Sequence, residues 1–159
     1  MLKLRKNKKG FTLVELIVVI AIMAVLAGVV AGVTVSQLNK QTNKTGSAQA
    51  KTVADYISTV ALTGENDDDP TVNIIDGDKF NDTTLPQLIK EQYSASSTQI
   101  TFVTTPKTPA AGKINVYFSD AKKKLVIVEF KEKGAGGKSI KYSVSYQGVV
   151  AKVEETTGG

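Results

Sequence analysis

The sequence predicts an α+β fold: a long N-terminal α-helix, membrane-spanning in its first half and amphipathic in its second, packed on a C-terminal antiparallel β-sheet. Three observations predict it. Residues 11–35 form an apolar run whose polar side chains are Thr12, Glu15 and Thr34. Ala50, Val53, Ala54, Ile57, Val60 and Ala61 then recur at the three- and four-residue steps of an amphipathic helix. From Gln99 onward, apolar and polar residues alternate with the period of two that marks half-buried strands.

The first ten residues are a basic leader, with Lys3, Arg5, Lys6, Lys8 and Lys9 and no acid. They account for the whole formal charge of +5, because 20 Lys and Arg less these five leave 15 against 15 Asp and Glu. The pI near 9.3 therefore reports the leader and is no argument for nucleic acid as a primary partner. As a helix, residues 11–35 would measure ~37 Å at ~1.5 Å per residue, enough to cross a hydrocarbon core of ~30 Å. A cleaved secretory signal has a shorter apolar region, ~7–15 residues, and is cut on its far side. The cations place the N-terminus in the cytoplasm, so residues 36–159 are expected outside as a globular domain.

Within the apolar run Glu15 stands out. An ionised carboxylate at the centre of a bilayer costs roughly 2.5–3.5 kcal/mol on insertion scales, which predicts a task and a partner for it. Gly28 and Gly32 lie four residues apart, and two readings stay open. One is close helix–helix approach in the membrane; the other is local helix weakness, since each glycine costs ~1 kcal/mol relative to alanine.

The amphipathic half is expected over 36–62, completing a helix from about Phe11 to Leu62, although the polar stretch Ser36–Ser47 interrupts the periodicity. Gly64 is a C-terminal stop, and Asp67, Asp68, Asp69 and Pro70 are breakers. Residues 63–98 are a connecting region. In it, Glu65 to Asp82 reads as a solvated acidic loop. Its Asp67, Asp68, Asp69, Asp76, Asp78 and Asp82 carry oxygens of the kind calcium takes, but at no EF-hand spacing. Thr84 is expected to cap a short helix with Pro86 in its first turn. The sheet spans 99–153, with strands at 100–103, 114–118, 125–130, 140–146 and 149–153. Ser119-Asp120-Ala121 and Gly134-Ala135-Gly136-Gly137 are its hairpin turns. Lys122-Lys123-Lys124 reads as a solvated tip, and residues 154–159 as a frayed tail.

Lys8-Lys9-Gly10 followed by Phe11-Thr12-Leu13-Val14-Glu15 resembles the class III processing site of type IV prepilins. The resemblance implies cleavage after Gly10 by a dedicated prepilin peptidase and N-methylation of the new terminus, Phe11. Gly10 suits the first step, since it lets a peptidase approach the backbone closely. The resemblance also implies that Glu15 neutralises the Phe11 ammonium of a neighbouring subunit, setting register as apolar stalks bundle, and that the stalk near Gly28 and Gly32 takes part in assembly. The implied function is a structural pilin polymerised into a surface filament for adhesion, motility or biofilm formation. Its partners would be other copies of itself, the membrane, an assembly platform with its ATPase motor, and minor pilins. Absence of cysteine departs from the disulfide-pinned pilins and favours the cysteine-poor type of single-membrane bacteria.

Other classes have less support. Without cysteine or histidine the chain has no disulfide, no Cys/His zinc site and no Ser-His-Asp or Cys-His pair. No Gly-x-Ser-x-Gly or phosphate-binding loop appears, so neither an enzyme nor a cofactor is expected. A pseudopilin of a type II secretion or competence system shares the same junction and is the first alternative. A membrane-anchored surface binding protein that never polymerises is the second.

Overall fold

The computed structural model describes residues 11–63, 73–94 and 99–153. Its first element, α1 (Leu13–Thr63), is a helix of 51 residues, within two residues of the expected bounds. The polar stretch Ser36–Ser47 does not interrupt it. The leader, Gly64, the Asp67–Pro70 breakers and the tail lie outside the described residues. The structure divides between Leu38 and Asn39 into two units. In the first, the large apolar side chains from Leu13 to Val35 are all exposed, from 43% at Val19 to 73% at Leu13.

In the second unit one face of α1 is buried: Gly46, Ala50, Val53, Ala54, Ile57, Ser58 and Val60. Small residues alternate with branched ones along this stripe, so the sheet comes close at the small positions. The approach is tight at Gly46, since a Cβ there would lie 2.2 Å from the Phe130 ring. A mid-helix glycine costs ~1 kcal/mol of helix propensity, and here the ring occupies the space that any side chain would need.

A hairpin of β1 (Ile75–Asp76) and β2 (Lys79–Phe80) follows, where the acidic residues suggested a solvated loop. Gly77 takes φ +64° in its two-residue turn, a conformation that favours glycine. Ile74 and Phe80 anchor the hairpin in the core. Helix α2 (Thr84–Tyr93) buries Leu85, Leu88 and Ile89. Thr84 is not its cap. It is the first helical residue, and its hydroxyl donates to the Asn73 carbonyl at 2.7 Å. The Asn81 side chain instead accepts from the Thr83 and Thr84 N–H groups at 2.9 and 3.1 Å, satisfying donors that a helix start leaves free.

Five strands complete the fold: β3 (Ile100–Phe102), β4 (Ile114–Phe118), β5 (Leu125–Lys131), β6 (Ser139–Ser145) and β7 (Val150–Val153), in the order β3-β4-β5-β6-β7. Neighbours from β4 to β7 are antiparallel, as the short turns predict. The expectation of a wholly antiparallel sheet fails at one edge, where β3 runs parallel to β4 with Ile100 opposite Ile114. The cause is the connection. Residues 103–113 travel back across the sheet before β4 begins, where a two-residue turn would have reversed the chain. Asn115 donates its amide to the Lys107 carbonyl at 2.8 Å, and Pro109 is buried, so this segment covers the face of β4 that points away from α1. Ile114, Val116, Val126, Val128, Phe130 and Val144 form the opposite face and meet the helices in the core.

Candidate functional site

The site the sequence singles out is the start of α1. Thr12 is the residue just before the helix, and Glu15 stands at its third position. The Thr12 N–H donates to Glu15 Oε2 at 2.8 Å and the Thr12 hydroxyl to the same oxygen at 2.7 Å. In return the Glu15 N–H donates to Thr12 Oγ1 at 3.3 Å. This is a reciprocal capping box, which satisfies orphan donors on both sides of a helix start. It also places a carboxylate in the first turn, where the positive end of the helix dipole favours it.

Thr12 is the functional residue that sequence reasoning passed over. Its signal is Thr-x-x-Glu before an apolar run, the pattern of a capping box. The third polar group of the run is satisfied too, because the Thr34 hydroxyl donates to the Val30 carbonyl at 2.8 Å. All three polar side chains between Phe11 and Val35 therefore make hydrogen bonds within their own helix, as a lipid setting requires. What remains is the charge of Glu15.

Phe11 is 89% exposed beside this cap. Gly28 and Gly32 are both helical, and a Cβ added at either would meet no atom within 4 Å. Gly10 lies outside the described residues. Among the described residues no three acidic side chains gather as a metal would need. Asp78 and Asp82, two of the oxygens considered for calcium, pair instead with Lys124 and Lys123. These pairs hold both carboxyls below the usual carboxylate range and hold the Lys124 ammonium above its own. The acidic segment and the lysine tip, each expected to be solvated alone, thus clasp one another.

One buried polar cluster lies in the sheet. Glu129 is 1% exposed, and its Oε2 accepts from the Tyr117 hydroxyl at 2.8 Å while Lys141 Nζ stands 3.8 Å from Oε1. Burial first, and the Glu129 hydrogen bond second, push the Tyr117 phenol well above its usual range. Asn115 and Lys141 flank Glu129 on the adjacent strands. The arrangement ties three strands together.

Residues 5–31 match the family model described as the prokaryotic N-terminal methylation motif, the class III signal of type IV prepilins. No curated protein and no solved structure gives a match. A long helix with an apolar N-terminal part and a second part packed on a mixed sheet is a pilin-like α+β fold. The matched segment carries the kind of signal that prepilin peptidase processes. The family it resembles in this segment is structural, and its apolar helix is long enough to cross a membrane.

Proposed function

We propose that this chain is the structural subunit of a type IV pilus. Prepilin peptidase removes residues 1–10 after Gly10, Phe11 becomes the N-methylated terminus, and the apolar half of α1 passes from the membrane into the core of a surface filament. The observation that carries this reading is a helix whose apolar side chains are exposed on every side from Leu13 to Val35, with one capped carboxylate at its start. Such a rod needs an apolar solvent, and lipid and a bundle of identical rods each supply one. In the bundle, Glu15 meets the Phe11 ammonium of a neighbour. A buried pair of this kind adds little net stability, but removing one partner costs ~3–5 kcal/mol, so it selects one register over others. Filaments so built serve adhesion, motility or biofilm formation, with an assembly platform, a cytoplasmic ATPase and minor pilins as partners.

The test is Glu15→Ala. Leader removal and membrane insertion should be normal, with processed subunit at wild-type amounts and little or no sheared filament. Mass spectrometry of wild-type sheared material should show N-methylated Phe11 as the first residue. Abundant filaments of Glu15→Ala protein alone would make the carboxylate incidental to assembly. Wild-type cells that process the chain but shed no filament would favour the pseudopilus.

A further inference from the structure

Beside β3 the second unit carries a groove of about 930 Å³ that neither the stalk nor the filament reading uses. One wall is α2, through Pro86, Lys90 and Tyr93; the other is β3, through Ile100, Thr101 and Phe102. Ile100 and Phe102 point to one face of the sheet and Thr101 to the other, yet all three line the groove. It therefore follows the edge of the strand. Among the described residues that edge is unpaired, because β3 is the terminal strand of the five. Its backbone polarity follows from the ladder. The Gln99 carbonyl accepts from Ile114 at 3.2 Å and the Val103 N–H donates to Val116 at 2.8 Å. Thr101 has the same parity and faces β4, so Ile100 and Phe102 direct their N–H and C=O groups outward into the groove.

Two further features define the occupant. Phe102 and Phe118, with ring centroids 5.2 Å apart, both line the groove and offer apolar surface for a side chain. At the rim, the Lys123 charge is taken by Asp82, whereas Lys90 has no ion-pair partner among the described residues. The groove thus carries a net positive charge beside an unpaired strand edge.

We propose that this groove docks an extended acidic peptide segment as an added strand on β3. Main-chain hydrogen bonds to Ile100 and Phe102 supply the pairing, alternate side chains enter between α2 and the sheet, and a carboxylate meets Lys90. The proposal is independent of whether the stalk polymerises.

The test uses the full-length protein in detergent micelles and a fluorescein-labelled, end-blocked peptide of sequence Ser-Val-Thr-Val-Glu-Val-Ser, read by anisotropy. Saturable binding is expected. Methylating alternate backbone nitrogens in one register should abolish it, while methylation in the other register leaves it intact, because only one edge of the peptide pairs. Ile100→Pro removes an outward N–H without touching the bonds to β4, as edge positions tolerate, and should weaken binding about tenfold or more. Lys90→Glu should weaken the acidic peptide comparably and favour one with Lys in place of its Glu. If Ile100→Pro melts early, the two methylated peptides decide the matter alone. Equal binding of both methylated peptides overturns the proposal, as does no saturable binding. A neutral oligosaccharide that binds where the peptide does not, and is lost in Tyr93→Ala, also overturns it.

Discussion

Residues 13–35 and 46–61 belong to one helix and have the same backbone hydrogen bonding, yet they solve opposite problems. The second stretch buries one stripe, small at Gly46, Ala50 and Ala54 and branched at Val53 and Ile57, against strands of its own chain. The first is apolar all round and buries nothing within the chain. Periodicity tells them apart, because a helix that packs on one partner needs one apolar face, and a helix dissolved in an apolar medium needs them all. The glycines differ in the same way. Gly46 is a glycine because Phe130 fills its place, whereas Gly28 and Gly32 face open space.

The strongest way to break this comparison is to put a charge into each half. Ile57 is fully buried and Ile17 is 51% exposed. A truncated chain beginning at Ser36 should be a soluble, cooperatively melting monomer with mixed helix and strand by circular dichroism. Ile57→Asp in that chain buries an unpaired carboxylate, a loss of about 4–5 kcal/mol or more, comparable with the whole stability of a small domain. It should be unfolded at room temperature. In the full chain in detergent, Ile17→Asp should leave the melting of the globular unit unchanged. An unfolded truncated chain without the substitution would mean that the core needs the first half of the helix.

The glycines sharpen the contrast. Gly46→Ala gains ~1 kcal/mol of helix propensity but forces a methyl into the Phe130 ring, and overpacking of this kind typically costs ~1–3 kcal/mol. Urea denaturation should show a net loss, partly recovered in the double variant Gly46→Ala with Phe130→Leu. Gly28→Ala and Gly32→Ala should leave the stability of the globular unit at wild type. A net gain in Gly46→Ala would show that the sheet moves away freely.

How much of this was legible follows from how far each cause reaches along the chain. The apolar run is local chemistry, and the face from Ala50 to Ala61 and the strands after Gln99 are local periodicity, so each is recovered within a residue or two. What escaped depends on distant partners. The hairpin at 75–80 was hidden by aspartates whose lysines are more than forty residues away. Gly46 makes sense only beside Phe130. The direction of β3 is decided by the path of residues 103–113, which alternation does not encode. The cap formed by Thr12 is the exception, for it is local and is encoded by Thr-x-x-Glu alone. Tyr117 and Glu129 show the non-local kind again, since an acid within the alternating strand Leu125–Lys131 reads as solvent-facing until Tyr117 is placed beside it on β4. Tyr117→Phe leaves the buried carboxylate without its donor and should cost ~1–3 kcal/mol by urea denaturation. A loss below a few tenths would mean that water replaces the hydroxyl.

The smallest effect belongs to the clasp between the two expected solvated segments. Asp78 and Asp82 have carboxyls held below their ordinary range by Lys124 and Lys123 in the folded chain. Depressed carboxylate values mean that the clasp contributes its stability fully above the unfolded carboxylate value of ~3.9 and loses it as pH falls through the lower folded values. The raised Lys124 value works in the other direction: its contribution holds below the unfolded lysine value of ~10.4 and is lost as pH rises through the folded one. Between those limits the clasp should be independent of pH. Both carboxylates are solvent-exposed, so the contribution is small and screened by salt. The double variant Asp78→Asn with Asp82→Asn should melt slightly below wild type at neutral pH and low salt. That difference should shrink at high salt and close in acid, where the protonated aspartates resemble the amides that replaced them. The Phe80 N–H also donates to the Lys123 carbonyl at 2.9 Å, so the hairpin keeps a backbone tie to the tip in the variant. A difference that persists unchanged into acid would show that the aspartates act by packing and turn geometry and that their charges contribute nothing.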